Sequence, residues 1–155
     1  DQPGKLIGNW FLEGTNGFAG AVTEIGAQGY WLGHLSIVYD AYDPTRIVIS
    51  IVEYYEDQDS KQFGVKGNSP DPADVGIGNG LIKYELVDYY HITSGGGSWD
   101  AISPVKISKT ASNEIVQGIV LVQMIETRKI KFEAFPGKTA SQVSGFTTNA
   151  KIYER

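Results

Sequence analysis

Apolar residues along this chain recur with a period of two, and no segment sustains the i, i+3, i+4, i+7 spacing of an amphipathic helix. That property confines the fold to β architecture. The clearest case is 127–135, where Ile130, Phe132 and Ala134 share one face and Lys129, Lys131 and Glu133 the other, so one side of that strand is buried and one solvated. In 46–55, Ile47, Ile49 and Ile51 share a face while Val48 and Val52 lie on the opposite one, which predicts cover on both sides. In 114–125, Val116, Val120, Val122 and Met124 make a continuous apolar face, with Gly118 marking a bend or a bulge. The 19 Gly and 9 Tyr, against a single Met, suit pleated strands and tight turns.

Turn chemistry divides these segments. Asn16-Gly17, Asp43-Pro44, the run 94–98 of Ser and Gly, and Pro136-Gly137 each interrupt an alternating run. The count is about eight to nine strands with short connections, the pattern of a single antiparallel up-and-down barrel or of a sandwich. The stretch 68–80 is the longest irregular one, and reads as a surface loop or a functional one. The stretch 142–153 reads as a last strand able to close back on the first.

At 155 residues the expectation is one domain, 1–155, large enough to bury a core without staples. The absence of Cys excludes disulfides, thiolate metal sites and a Cys nucleophile. A net charge of −5 argues against a nucleic-acid partner, which calls for a basic stripe. No apolar run approaches the ~20 residues of a membrane-spanning helix. The start at Asp1 looks like a trimmed terminus, and the expectation is a secreted, periplasmic or surface-anchored protein in its mature form.

At the head of the first predicted strand stands Gly8-Asn9-Trp10. A Trp opening the first strand of a small β chain is a natural plug for one barrel end. The adjacent Gly permits close packing, and the indole N–H requires a partner. This motif, the up-and-down strand succession, and a final strand ending 149–155 resemble the lipocalin-like proteins of the calycin group. The step Ser144-Gly145-Phe146 is similar to one in the small lipid-binding lipoproteins of Bacteroidetes. The resemblance implies a cavity for a small apolar or amphipathic, lipid-like ligand at the open end of a barrel. It also implies that a basic side chain of the last strand, Lys151 or Arg155, packs over Trp10 as a cation–π contact.

Alternation on the clearest strands then nominates Tyr84, Val120, Val122, Ile130 and Phe132 as ligand lining, with Trp31 or His34 as a polar handle. The leading expectation is a non-enzymatic binding protein without a cofactor or a metal. Two alternatives stand beside it. One is a barrel enzyme of isomerase or cyclase type with His34 or His91 as acid or base, oriented by Asp88 or Asp100. The other is a β-sandwich carbohydrate-binding or adhesive module that uses exposed aromatics. A Ser hydrolase finds no support, because Ser94 and Ser98 lack the nucleophile-elbow spacing. Candidate Ca²⁺ ligands are Glu56, Asp57 and Asp59 or Asp71, Asp74 and Asn79, neither set at EF-hand spacing. The two His give no recognisable zinc spacing.

Overall fold

The computed structural model describes residues 1–15, 33–54, 61–93, 95–100, 109–111 and 114–155. The strands are β1 (Gly8–Leu12), β2 (His34–Tyr39), β3 (Ile47–Ile51), β4 (Lys61–Val65), β5 (Leu81–Asp88), β6 (Tyr90–Ile92), β7 (Lys109–Ala111), β8 (Val116–Glu126), β9 (Lys129–Pro136) and β10 (Lys151–Glu154). Eight of them close an antiparallel barrel in the order β1-β10-β9-β8-β5-β4-β3-β2, while β6 and β7 form a separate two-stranded ribbon. Closure excludes the sandwich alternative. The sequence also reads as strands over 18–25 and 30–39; the first of these and the N-terminal part of the second lie outside the described residues.

The two-residue period becomes the inside–outside division of the barrel. Register sets Trp10 beside Leu35 and Leu35 beside Ile51. It sets Val122 beside Phe132, and Ile130 beside both Met124 and Tyr153. All of these side chains belong to one buried cluster. The alternation at β9 is as expected: Ile130 and Phe132 are buried inward while Lys129 and Lys131 point out. The bulge expected near Gly118 is present on β8: Leu86 pairs with Gly118 and Val87 with Val116, which leaves Gln117 as the extra residue. At Gly118 a Cβ would also run into the Tyr54 hydroxyl and the Phe135 carbonyl, so the glycine serves a close approach.

One barrel end is closed. Trp10 is fully buried there and its Nε1 donates to the Leu6 carbonyl at 2.9 Å, which satisfies the indole N–H. The Arg155 guanidinium lies 4.0 Å from the Trp10 ring centroid. Its Nη1 donates to the Ile7 carbonyl at 2.8 Å, and its Nη2 to those of Gln2 and Lys5 at 2.5 and 2.6 Å. Burial holds this guanidinium below its ordinary pKa, and neighbouring Arg128 adds to the effect. Gly8, at φ +144°, leaves the room this requires, because a Cβ would collide with the Asp1 carboxylate and the Arg155 guanidinium.

The irregular stretch 68–80 completes that end. Val75 is buried in the core cluster, and its carbonyl accepts from the Leu6 amide at 2.9 Å. The Tyr84 hydroxyl donates to the Pro70 carbonyl at 2.9 Å, and the Tyr39 hydroxyl to Asp71 Oδ1 at 2.5 Å. Asn68 Oδ1 accepts from the Ile47 amide at 2.8 Å while its Nδ2 donates to the Thr45 carbonyl at 2.5 Å. A stretch without a strand ladder thus still has its polar groups bonded, as burial demands.

Two outer layers depart from the sequence expectation. The predicted last strand, 142–153, is a strand only from Lys151; before it the chain forms a strap. Val143 and Phe146, three positions apart, pack on Ile119, Leu121 and Phe135, on the outside of β8 and β9. Lys83 Nζ fixes the strap by donating to the carbonyls of Ala140 and Val143. Similarly, the expected strand 81–92 breaks at Tyr89. Beyond it, His91 Nε2 meets Asp40 Oδ2 at 3.0 Å and is ringed by Tyr42, Tyr89 and Trp99 at centroid distances of 5.2, 5.5 and 5.8 Å.

Candidate functional site

The opposite barrel end, where β3 finishes, β9 finishes and β10 begins, holds a cleft of about 410 Å³. That is within the roughly 300–1,000 Å³ of small-molecule sites. Its apolar wall comes from β3, β9 and β10: Ile51, Phe132, Ala134 and Tyr153, with Tyr54 just past β3. Phe132 and Tyr153 pack edge-on at 5.6 Å, and Tyr54 leans on Phe63 at 4.5 Å. The Tyr54 hydroxyl crosses to β8 and donates to the Gln117 carbonyl at 3.1 Å, which makes this ring the floor of the cleft and the roof of the packed interior.

The polar wall is built from Glu53, Glu133, Lys138, Thr147, Asn149 and Lys151. Lys151 pairs in register with Phe132, so it is an inward position. Its ammonium reaches Glu53 Oε2 at 2.5 Å, an ion pair that ties β10 to the end of β3. Glu133 is buried beneath the strap, where Oε2 accepts from the Thr147 amide at 2.7 Å and Oε1 accepts from the Thr147 hydroxyl. Burial pushes the Tyr153 hydroxyl well above its ordinary pKa, with the Glu53 charge acting in the same direction, so Tyr153 is a neutral phenol.

Beneath the floor the barrel is full. Tyr84, Val120, Val122 and Ile130 expose no surface at all. A void able to hold a water would leave surface on the side chains around it. Of the positions nominated as ligand lining, the structure brings Phe132 to the cleft and puts Tyr84, Val120, Val122 and Ile130 in the filled interior. Burial likewise pushes the Tyr84 phenol up, with the Asp71 and Tyr39 charges reinforcing it. Trp31 lies outside the described residues.

His34 faces out. Its neighbours Leu35 and Ile37 fill the interior, while its own ring packs 5.6 Å from Phe11 on the outer face and burial lowers its pKa. It therefore supplies no handle inside the barrel. His91 sits on the ribbon with Asp40, so the two His do not converge on one reacting atom. Burial raises the Asp40 carboxyl, but hydrogen bonds from Tyr89, the Asp43 and Tyr42 amides and His91 outweigh it and hold Asp40 below its usual range. Lys151 does not reach Trp10; that contact is made by Arg155 at the other end. Of the proposed Ca²⁺ ligands, Asp71 is occupied by Tyr39 and the Ala73 amide, and Asn79 Oδ1 accepts from the Gly76 amide. Glu56, Asp57 and Asp59 lie outside the described residues.

Sequence reading missed Glu53, Tyr54, Lys138, Thr147 and Asn149. The Glu53–Lys151 pair joins positions 98 apart, and nothing local announces it. Among the described residues no helix is long and apolar enough to cross a membrane. No protein-family model, curated protein or solved structure matches the chain.

Proposed function

We propose that this protein binds a small amphipathic molecule at the open end of its barrel and acts as a carrier or receptor of that molecule without transforming it. The observation that carries the reading is the cleft of about 410 Å³, with an aromatic wall on one side and ionised side chains on the other. An apolar wall supplies affinity by releasing water, and a few polar groups fix orientation. The order of strands and the Trp10–Arg155 plug fit a lipocalin-like barrel, and kinship with the small lipid-binding lipoproteins belongs to the same proposal. An enzymatic reading has less support, because His34 and His91 lie on separate outer surfaces.

The test is titration with N-phenyl-1-naphthylamine, a neutral apolar dye that brightens out of water. Wild type should bind it saturably. Ala134→Trp, which fills the cleft, should abolish binding, while Lys131→Gln on the outer face of β9 should leave it unchanged. Undiminished binding in Ala134→Trp overturns the assignment. A native mass spectrum that shows a retained small molecule, lost on denaturation, would identify the natural occupant.

A further inference from the structure

The polar groups of the cleft differ in what they have left to bond. Glu133 has both oxygens engaged by Thr147. Glu53 and Lys151 face each other at 2.5 Å. Lys138 and Asn149 line the same cleft, and neither the Lys138 ammonium nor the Asn149 side-chain amide has a partner among the described residues. Each carboxylate thus has a partner, whereas the Lys138 ammonium has none among the described residues. Beside it stands an amide N–H, a second donor. A head that only accepts hydrogen bonds and carries negative charge satisfies both, whereas an ammonium head would meet two carboxylates already taken.

The apolar half of the cleft is bounded as well. Its floor is Tyr54, tied across the barrel to the Gln117 carbonyl, and the interior side chains beneath expose no surface. A long acyl chain has no path down the barrel axis. The body of the ligand must lie within the mouth, against Phe132, Ala134 and Tyr153.

The geometry points to a compact anionic amphiphile as the ligand, one acceptor-only head bound by Lys138 and Asn149 and a short or flat apolar body on the aromatic wall. This inference rests on the cleft being the binding site, as proposed above. Lys151 stays paired with Glu53 and is not counted among the head's partners.

The experiment is competition against N-phenyl-1-naphthylamine by three molecules that share one ring system: 1-naphthoate, 1-naphthylmethanol and 1-naphthylmethylamine. The carboxylate should displace the dye about fivefold more tightly than the alcohol, the scale of a ~1 kcal/mol charge contact, and the amine should be weakest. Lys138→Gln should bring the carboxylate down to the alcohol's affinity, and a urea midpoint equal to that of wild type shows that the variant is folded. Raising the salt to about 1 M, where the screening length falls to ~3 Å, should erase the same margin in wild type. Equal affinities for carboxylate and alcohol, an amine that binds tightest, or a carboxylate margin that survives Lys138→Gln overturns the head-group assignment with the cleft intact. If the dye itself binds undiminished to Ala134→Trp, the cleft is not the site and this inference falls with it.

Discussion

The two ends of the barrel are both rich in polar atoms, yet they use them in opposite ways. At the closed end the donors and acceptors are spent on the backbone: Arg155 on three carbonyls, Trp10 on Leu6, Asn68 on Ile47 and Thr45. At the cleft end they stand on side chains facing a cleft, paired across strands or, among the described residues, with capacity unspent. A buried polar group that lacks a partner costs roughly 1–3 kcal/mol, so an end that is sealed must be saturated. An end built to receive a molecule can leave donors to water until the molecule arrives. Under the function proposed above, the contrast assigns stability to one end and recognition to the other.

Substitutions can break that assignment, and the largest effect belongs to the plug. Trp10→Ala should lower unfolding free energy by about 3–5 kcal/mol, read from urea denaturation, because it empties a fully enclosed site. If Ala134→Trp at the mouth costs as much, the division between the ends fails. Arg155→Met should cost about 2–3 kcal/mol in the same measurement, since it strands the carbonyls of Ile7, Gln2 and Lys5 and removes the cation over the indole. Arg155→Lys should recover only part of that loss, because an ammonium cannot span three carbonyls as a guanidinium fork does. Gly8→Ala should cost about 1–3 kcal/mol through its positive φ and the crowding of Asp1 and Arg155. None of these should move dye affinity in the folded fraction.

A pH series sharpens the comparison further. Tyr39, bonded to Asp71 at the closed end, is pushed up to about 12, first by that hydrogen bond, then by burial and by the charges of Asp71 and Asp74. Below pH ~10 both folded and unfolded chains keep this phenol neutral, and its contribution is fully present. Between about 10 and 12 the unfolded chain loses the proton while the folded one keeps it, so stability falls as pH rises through that window. Tyr39→Phe should flatten this part of the urea-midpoint profile, and an unchanged slope would show that Tyr39 is not held by Asp71. The smallest effect is expected at the mouth: Lys151→Met should change stability by less than ~1 kcal/mol, with the difference vanishing at high salt.

Much of the fold is legible in the chain because the strand period is local. Ile130, Phe132 and Ala134 against Lys129, Lys131 and Glu133 state their own inside and outside, and β9 obeys except that the strap buries Glu133. The stretch 142–153 reads as a strand and misleads, since apolar residues such as Val143 and Phe146 do not say whether their partner is an adjacent strand or the outside of the barrel. The stretch 68–80 misleads in the other direction: its Pro and Gly read as a loose loop, while Val75, Asp71 and Asn68 lock it beneath the barrel. The site was less legible than the fold. Tyr84, Val120, Val122 and Ile130 were correctly assigned to one face, but whether that face encloses a void depends on side chains meeting from opposite walls.

Sequence alone therefore determined the all-β class and the inward faces of the clearest strands. Those follow from the pleat and from residue chemistry, both of which act over a few positions. The tertiary structure decided that the barrel closes, that Arg155 and not Lys151 covers Trp10, and that the cleft of about 410 Å³ lies above a filled interior. These depend on contacts between residues far apart in the chain, such as Glu53 with Lys151 and Tyr54 with Gln117. Nothing in the local pattern encodes how far two opposite walls stand from each other.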